Sequence, residues 1–269
     1  MNRKEYAACI VGRLNALKDS LAREFQGPGK IRSFVVDDLL PEARATEIHE
    51  FFPRPEAMIL RSSLREKKYV AVQMNRYPPL LEEIVYAFQD PAVVDLVSEI
   101  TQIKPLLPDE RLYAGGLSLM TQGNFLNPHL DNSHDHERKN YRVLNLLYYV
   151  SPNWKLEDGG NLELWDGGVR QRSRTIVSRY NRLVVMETGR SSWHSVSPVK
   201  KPADRCCISN YYFSPQPLEA SDYFHVTSFR GRPEEKWRDW ILCLDNSVRS
   251  SLRKIFKKGI VKTFHIYKK

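Results

Sequence analysis

The sequence predicts an α+β fold in which helices flank a β-rich core of the sandwich or jelly-roll type. Three observations lead to this class: helical apolar spacing early in the chain, short β-branched and aromatic segments in the middle, and helical spacing again after Pro217. We therefore expect one compact domain with three parts. These are an N-terminal support region of helices and strands, a jelly-roll core and a C-terminal helical extension, over 1–104, 105–216 and 217–269.

The N-terminal part should begin with a helix, because Ile10, Leu14, Leu17 and Leu21 recur at helical spacing before the GPGK segment. The segment IRSFVVDDLL is rich in β-branched residues and predicts a strand. Two later segments, PLLEEIVYAFQ and PAVVDLVSEI, each open with proline, which favours the first turn of a helix. We expect these helices to pack against the outside of the β core.

From about residue 111 the segments become short and β-rich, at a density typical of a sandwich or jelly roll. The predicted core strands lie in LYAGGLSLM, RVLNLLYYV, GGNLELWD, RTIVSRY, NRLVVMET, WHSVSPV and RCCISNYYF. Beyond the core we expect one helix from Pro233 and a second after Asn246.

Composition excludes several classes of protein. With 42% hydrophobic residues the 269-residue chain can bury a sizeable core, yet no apolar run approaches the ~18–20 residues of a membrane span. The N-terminus begins basic but lacks a small-residue cleavage site, so we interpret it as an amphipathic helix and not a signal peptide. The four cysteines have no CxxC spacing, which favours a reduced, cytoplasmic protein.

The net charge of +9 is concentrated at the C-terminus. Residues 230–269 contain 12 Lys/Arg and 4 Asp/Glu, which gives a net charge of +8. Residues 1–229 contain 29 Lys/Arg and 28 Asp/Glu, which gives a net charge of +1. Two interpretations of the basic tail remain open. Its apolar residues dock on the core with the lysines solvated, or the tail contacts an anionic membrane peripherally. No nucleic-acid motif is present, so we expect no sequence-specific nucleic-acid partner.

A candidate metal site lies in the segment NPHLDN. In a strand, residues i and i+2 share a face, so His129 and Asp131 would present an imidazole and a carboxylate side by side. His194 lies 63 residues after Asp131 in another strand-like segment. Two histidines and one carboxylate suit non-haem Fe(II) and leave coordination positions open. An HxD pair also occurs by chance, and packed or solvated histidines are the plain alternative.

The surrounding residues resemble the Fe(II)/2-oxoglutarate-dependent oxygenases, in particular their prolyl-4-hydroxylase-like branch. The resemblance covers roughly Leu117 to Phe213. It rests on Gly123 with PHLD, on RVLNLLYYV, on the DGGNLEL and NRLVV segments, and on Arg205, which follows His194 by 11 residues and opens RCCISNYYF. It implies a double-stranded β-helix (jelly-roll) core.

The resemblance also implies roles. His129, Asp131 and His194 would bind Fe(II), and Arg205 would pair with the distal carboxylate of 2-oxoglutarate; the alternative for Arg205 is a surface position in a basic loop. Fe(II) is then the cofactor, 2-oxoglutarate and O₂ the cosubstrates, and ascorbate a candidate reductant. The retained carboxylate of Asp131 favours hydroxylation, because related halogenases carry a small residue there.

Four further residues are candidates for the pocket. Tyr149 would place its hydroxyl against the 2-oxoglutarate carboxylate, or serve as a core aromatic. Asn145 would share its face, where a polar side chain needs a partner. Ser209 and Tyr211 would share the face of Arg205 and border the cosubstrate or the substrate pocket, or merely complete the core.

Some positions depart from the branch. Met120 stands where many relatives have tyrosine, and Cys207 where some have serine, so the cosubstrate contacts are expected to differ in detail. His134 and His136 form an HxH pair that we interpret as solvated loop residues near the pocket mouth, with a separate metal site as the alternative.

The predicted function is a dioxygenase that hydroxylates an unactivated C–H bond of a small molecule or of a glycan or envelope precursor. Hydroxylation of a protein residue, prolyl or other, is one alternative. A non-catalytic jelly-roll module that binds a sugar or a partner is the other. The core strands determine iron and cosubstrate binding but do not identify the prime substrate.

Overall fold

The computed structural model describes residues 1–113, 115–255 and 267, with side chains described in the last helix only as far as residue 246. Its helices are α1 (Arg3–Phe25), α2 (Glu42–Glu50), α3 (Pro79–Ala87), α4 (Pro91–Thr101) and α5 (Lys236–Ile255). Its strands are β1 (Ser33–Val36), β2 (Ile59–Ser62), β3 (Glu66–Ala71), β4 (Leu107–Pro108), β5 (Gly116–Met120), β6 (Phe125–Leu130), β7 (Tyr141–Tyr149), β8 (Leu162–Leu164), β9 (Arg174–Ile176), β10 (Arg182–Glu187), β11 (His194–Val196), β12 (Arg205–Ser214) and β13 (Ser228–Phe229).

Helix α1 begins at a capping box, in which the Asn2 side chain accepts from the Glu5 backbone and the Glu5 side chain accepts from that of Asn2. Its apolar stripe of Ile10, Leu14 and Leu21 is buried, as its spacing predicts. The helix lies against α3, α4 and β1, so the N-terminal helices cover the outside of the sheet.

The strands form one curled antiparallel sheet in the order β1-β10-β7-β12-β5-β3-β6-β11-β8-β9. This is the jelly-roll core with flanking helices that the sequence predicts. Strand β3 joins its two halves, since Tyr69–Ala71 pair with β5 while Glu66 and Lys67 pair with β6. The β2–β3 hairpin therefore borders the space between the two halves.

A β-bulge interrupts β7 near its start. Asn145 and Leu144 pair with Tyr211 and Tyr212, but Phe213 pairs with Arg142, so β7 holds one extra residue there. Simple alternation would place Arg142 and Asn145 on opposite faces, whereas the bulge brings both to the inner face.

The C-terminal extension differs from its predicted form. Helix α5 runs without a break from Lys236 to Ile255. Asn246, expected to separate two helices, instead bonds both backbone groups of Phe229 with its side chain. Trp237 and Trp240 are 60% and 67% exposed, so the helix does not pack on the core through them.

Residues 256–266, 268 and 269 of the basic tail lie outside the described residues. Tyr267 is described, and its backbone N–H donates to the Arg111 carbonyl while its hydroxyl contacts Glu82. In the described part of the chain, no helix combines the length and the apolar content that a membrane crossing needs. The four cysteines form no disulfides.

Candidate active site

Three side chains converge where β6 and β11 pair. His129 on β6 lies opposite His194 on β11, with ring centroids 4.1 Å apart. The Nε2 atoms of His129 and His194 lie 3.5 Å from Asp131 Oδ1 and Oδ2, respectively. One ligand atom from each of the three residues falls within 4.8 Å of the others. His129 and His194, which are 65 positions apart in the sequence, are thus brought together by strand pairing.

Backbone carbonyls orient both imidazoles. The Nδ1 atom of His129 lies 3.0 Å from the Asn127 carbonyl, and that of His194 lies 2.9 Å from the Ser192 carbonyl. With Nδ1–H donating, each Nε2 carries a lone pair directed to the shared space. Burial and the neighbouring His129 lower the pKa of His194 to about 4, so this ring is neutral at pH 7.

Two neighbours hold the Asp131 carboxylate. Asn145 Nδ2 donates to Oδ2 at 2.7 Å, and Arg142 NH1 lies 3.4 Å from the same oxygen. Burial would raise the pKa of Asp131, but Arg142 and the two histidines hold it well below its usual range. The site therefore offers two imidazole nitrogens and one anionic oxygen, a donor set that fits Fe(II).

An aromatic ring outside the predicted core stabilises this arrangement. Phe229 on β13 stacks on His129, with centroids 5.3 Å apart and planes inclined by 18°. Strand β13 pairs with β6 at this position. Sequence reasoning missed Phe229 because it lies in the extension, far from any recognised motif.

Arg205 is a buried cation without a counter-ion. Its side chain is 3% exposed, its Nε donates to Ser178 Oγ at 3.2 Å, and NH1 contacts the Met120 sulfur at 3.8 Å. Among the described residues, no carboxylate pairs with it. Burying an unpaired charge is costly, so this guanidinium fits a ligand that brings a carboxylate.

Tyr149 lies beneath that guanidinium, with Arg205 Cζ 4.7 Å from its ring centroid. Burial raises the pKa of Tyr149, so its hydroxyl keeps its proton and is able to donate a hydrogen bond. Both the core role and the predicted role as a carboxylate donor are compatible with this position. The donor role stays a prediction.

The glycine turn of the DGGNLEL segment makes room for Arg205. Gly160 has φ +62°, and a Cβ there would lie 3.1 Å from Arg205 Cδ and 3.0 Å from Val199 Cγ2. Its carbonyl accepts from Ser178 Oγ at 2.8 Å, which in turn contacts Arg205. A side chain at 160 would displace the guanidinium.

The remaining predicted residues line the same cavity in different roles. Ser209 approaches the Cys207 sulfur at 3.8 Å and makes no hydrogen bond to Arg205. The Tyr211 ring lies 4.3 Å beneath Arg142. Asn145, predicted for the substrate pocket, lines the cavity and donates a hydrogen bond to Asp131.

Arg142 was missed by sequence reasoning. Strict alternation along RVLNLLYYV turns it away from Asn145, and the bulge that reverses this has no sequence signal that we recognise. A charged residue that opens an otherwise apolar strand was the available clue.

The two histidines of the HxH pair, His134 and His136, differ in their exposure to solvent. His136 is exposed, as predicted for a loop residue. The prediction of a solvated His134 is wrong, because it is 2% exposed and packs near Tyr113 at the cavity wall. Its bridge to Tyr141 draws the loop inward.

All of these groups border one cavity of about 620 Å³. Its inner end holds the three ligand side chains and Arg205, and the β2–β3 hairpin and residues 226–229 line its other walls. Residues 115–213, which carry the inner end, match the 2OG-Fe(II) oxygenase superfamily. This segment of the chain is similar to that superfamily. Fe(II) and 2-oxoglutarate are the cofactor and cosubstrate of this family, and the His-Asp-His group and the unpaired Arg205 fit them.

Known proteins resemble this chain in sequence and in fold. The prolyl 3-hydroxylase OGFOD1 of Mus musculus is 31% identical over 96 residues, which cover 34% of this chain and 17% of that protein. A prolyl 4-hydroxylase from Phytophthora capsici is 17% identical with a TM-score of 0.55, covering 96% of this chain and 81% of its own. A prolyl hydroxylase from Trichoplax adhaerens, solved with a hypoxia-inducible-factor peptide, is 18% identical with a TM-score of 0.52, covering 79% and 90%. At these identities the structural likenesses concern the fold alone.

Proposed function

We propose that the protein is an Fe(II)- and 2-oxoglutarate-dependent dioxygenase that hydroxylates an unactivated C–H bond. The observation that carries this proposal is the convergence of a complete two-histidine, one-carboxylate donor set and an unpaired buried guanidinium on one cavity. The preferred substrate class is a small molecule or a glycan or envelope precursor. A cavity of about 620 Å³ has the size of a small-ligand site.

Bound Fe(II) and 2-oxoglutarate would supply the oxidative decarboxylation that activates O₂ for attack on a C–H bond. The protein's own groups position these partners. His129, Asp131 and His194 would hold the metal on one face, with their outer atoms fixed by carbonyls and by Asn145. Arg205 would anchor the far carboxylate of the cosubstrate by two parallel hydrogen bonds.

Hydroxylation of a protein residue is the second candidate. The sequence match to a mouse prolyl 3-hydroxylase supports it, since the matched segment has about the length of the core. The two substrate classes separate in one assay, in which succinate release is compared for proline-containing peptides and for free amino acids and nucleotide sugars. Stimulation by the peptides alone would favour the protein hydroxylase.

A non-catalytic module is disfavoured, because a binding module has no need for a buried guanidinium aimed at a ligand-sized cavity beside a full donor set. We also propose a cytoplasmic location with weak peripheral contact of the basic tail with anionic membranes. Co-sedimentation with anionic liposomes that weakens as salt rises would support that contact.

The central test is 2-oxoglutarate turnover with Fe(II) and O₂, followed as succinate release. His129→Ala should abolish it, and His136→Ala, an exposed histidine of the adjacent loop, is the matched control. Equal succinate release by wild type and His129→Ala would refute the assignment of His129 as a ligand.

A further inference from the structure

Two cations face each other on the wall of the cavity. Arg61 on β2 and Lys68 on β3 are direct partners across the hairpin, and both line the cavity. Like charges opposite each other on an antiparallel pair are destabilising. Stability of the hairpin therefore does not account for this pair.

A single carboxylate serves both cations. Glu66 Oε2 lies 2.9 Å from Lys68 Nζ, and Glu66 Oε1 lies 3.9 Å from Arg61 NH1. In the part of the chain that the structure describes, no other acidic side chain forms an ion pair with Arg61 or Lys68. This wall thus has one positive charge in excess.

The excess extends to the whole cavity. Five Lys/Arg side chains but only two Asp/Glu side chains line it, namely Arg61, Arg65, Lys68, Arg142 and Arg205 against Glu66 and Asp131. A ferrous ion and a 2-oxoglutarate dianion would cancel each other, and Asp245 neutralises Arg65 from outside. Residues 1–229 carry a net charge of only +1, so the positive charge of the cavity is not explained by a generally basic protein surface.

Arg61 and Lys68 are less deeply buried than Arg205, the residue that we assign to the cosubstrate. Arg205 is 3% exposed, whereas the side chains of Lys68 and Arg61 are 20% and 35% exposed. Arg61 and Lys68 therefore lie nearer the solvent, where an incoming molecule meets them first. A cleft lined by one sign of charge attracts ligands of the opposite sign.

We propose that the prime substrate carries an anionic group, a carboxylate or a phosphate, which Arg61 and Lys68 bind at the cavity mouth. This inference rests on the proposed function and adds the chemical class of the substrate. Binding of the anion at the mouth would leave the remainder of the substrate to extend toward the metal ligands.

Calorimetric titration of phosphate and of acetate tests the proposal. The protein is loaded with Zn(II) in place of iron and saturated with 2-oxoglutarate, so that Arg205 is occupied and no turnover occurs. At least one anion should bind saturably to wild type, and about tenfold or more weakly to the Arg61→Gln/Lys68→Gln double variant. Preference for phosphate would indicate a phosphorylated substrate, and preference for acetate a carboxylic acid.

Lys67→Gln is the matched control, because Lys67 is the exposed neighbour on the opposite face of the same strand. It should leave anion binding unchanged. The double variant loses the ion pairs with Glu66 but also the repulsion between the two cations, so its thermal midpoint should stay close to that of wild type, and a matched midpoint excludes misfolding as the cause of a loss. Absence of anion binding to wild type, or equal binding by the double variant, would overturn the proposal.

Failure of the subsite and failure of the proposed function are distinguishable. If 2-oxoglutarate itself does not bind the Zn(II)-loaded protein, the oxygenase assignment fails. If 2-oxoglutarate binds and neither anion does, only the anionic subsite fails.

Discussion

The inner end and the mouth of the cavity are built differently. The three metal-site side chains and Arg205 at the inner end lie within the residues that match the family, and His129, His194 and Arg205 are held by paired strands. The mouth is formed by the β2–β3 hairpin and the C-terminal extension, both outside that match, and ion pairs between half-exposed side chains hold it together. This difference supports the proposal that the core carries the chemistry, whereas the hairpin and the extension select the substrate.

The largest effect should come from the cosubstrate anchor. Arg205→Gln removes a buried charge that we assign to 2-oxoglutarate, so the dissociation constant for 2-oxoglutarate should rise about 30-fold or more. Calorimetry on Zn(II)-loaded protein measures it, with zinc affinity as an internal check that should not change. Arg170→Gln, an exposed arginine, is the control. An unchanged dissociation constant would place the anchor elsewhere.

The inner end and the mouth of the cavity also differ in how well the sequence predicts them. His129, Asp131 and His194 were recognisable because the motifs around them resemble those of a known family and because strand alternation predicts that His129 and Asp131 share a face. Arg142 was not, since a one-residue bulge reverses its face, and Phe229 was not, since its contact with His129 depends on how the extension folds back. The boundaries between the three parts of the chain, after residues 104 and 216, stay predictions, as does the role of the basic tail.

A smaller effect, on metal affinity, is expected from Asn145, which would act through the proposed metal ligand Asp131. Asn145→Ala removes the hydrogen bond to Asp131, so metal affinity should fall about 10-fold or more while the fold is kept. Competition with a chelator gives the metal dissociation constant. Asn15→Ala on the exposed side of α1 should leave it unchanged. If Asn145→Ala loses 2-oxoglutarate affinity but no metal affinity, Asn145 would instead act in cosubstrate binding.

At the mouth, the bidentate ion pair of Arg65 with Asp245 joins the hairpin to α5. The side chains are 33% and 28% exposed, so we expect a coupling energy of only about 1 kcal/mol. A double-mutant cycle with Arg65→Asp, Asp245→Arg and their combination measures it through hydrogen exchange of the hairpin amides. The charge-swapped double variant should recover protection that each single variant loses, without any change in 2-oxoglutarate affinity. No recovery would mean that the hairpin is held by its strand pairing alone.

The smallest expected effect is on the stability of the protein at low pH, through Glu66. Burial would raise the pKa of Glu66, but Lys68 and Arg61 lower it below its usual value. A carboxyl whose pKa is lower in the folded state stabilises above its unfolded pKa of about 4.3, and this stabilisation is lost as the pH falls through the folded value. Wild type should therefore exceed Glu66→Gln by about 1 kcal/mol in free energy of unfolding at pH 7 and converge with it below about pH 4. Denaturant titrations at both pH values check this, and a constant difference would show that Glu66 acts by packing.

The inner end is tested most directly by anaerobic titration of 2-oxoglutarate into the Fe(II)-loaded protein, followed by visible absorption. Chelation of the ferrous ion by the keto acid should produce a saturable charge-transfer band in wild type. Arg205→Gln should need far more 2-oxoglutarate to reach the same band, and His194→Ala should give none. A wild-type protein that binds iron without ever developing the band, or an Arg205→Gln variant that titrates like wild type, would contradict the account.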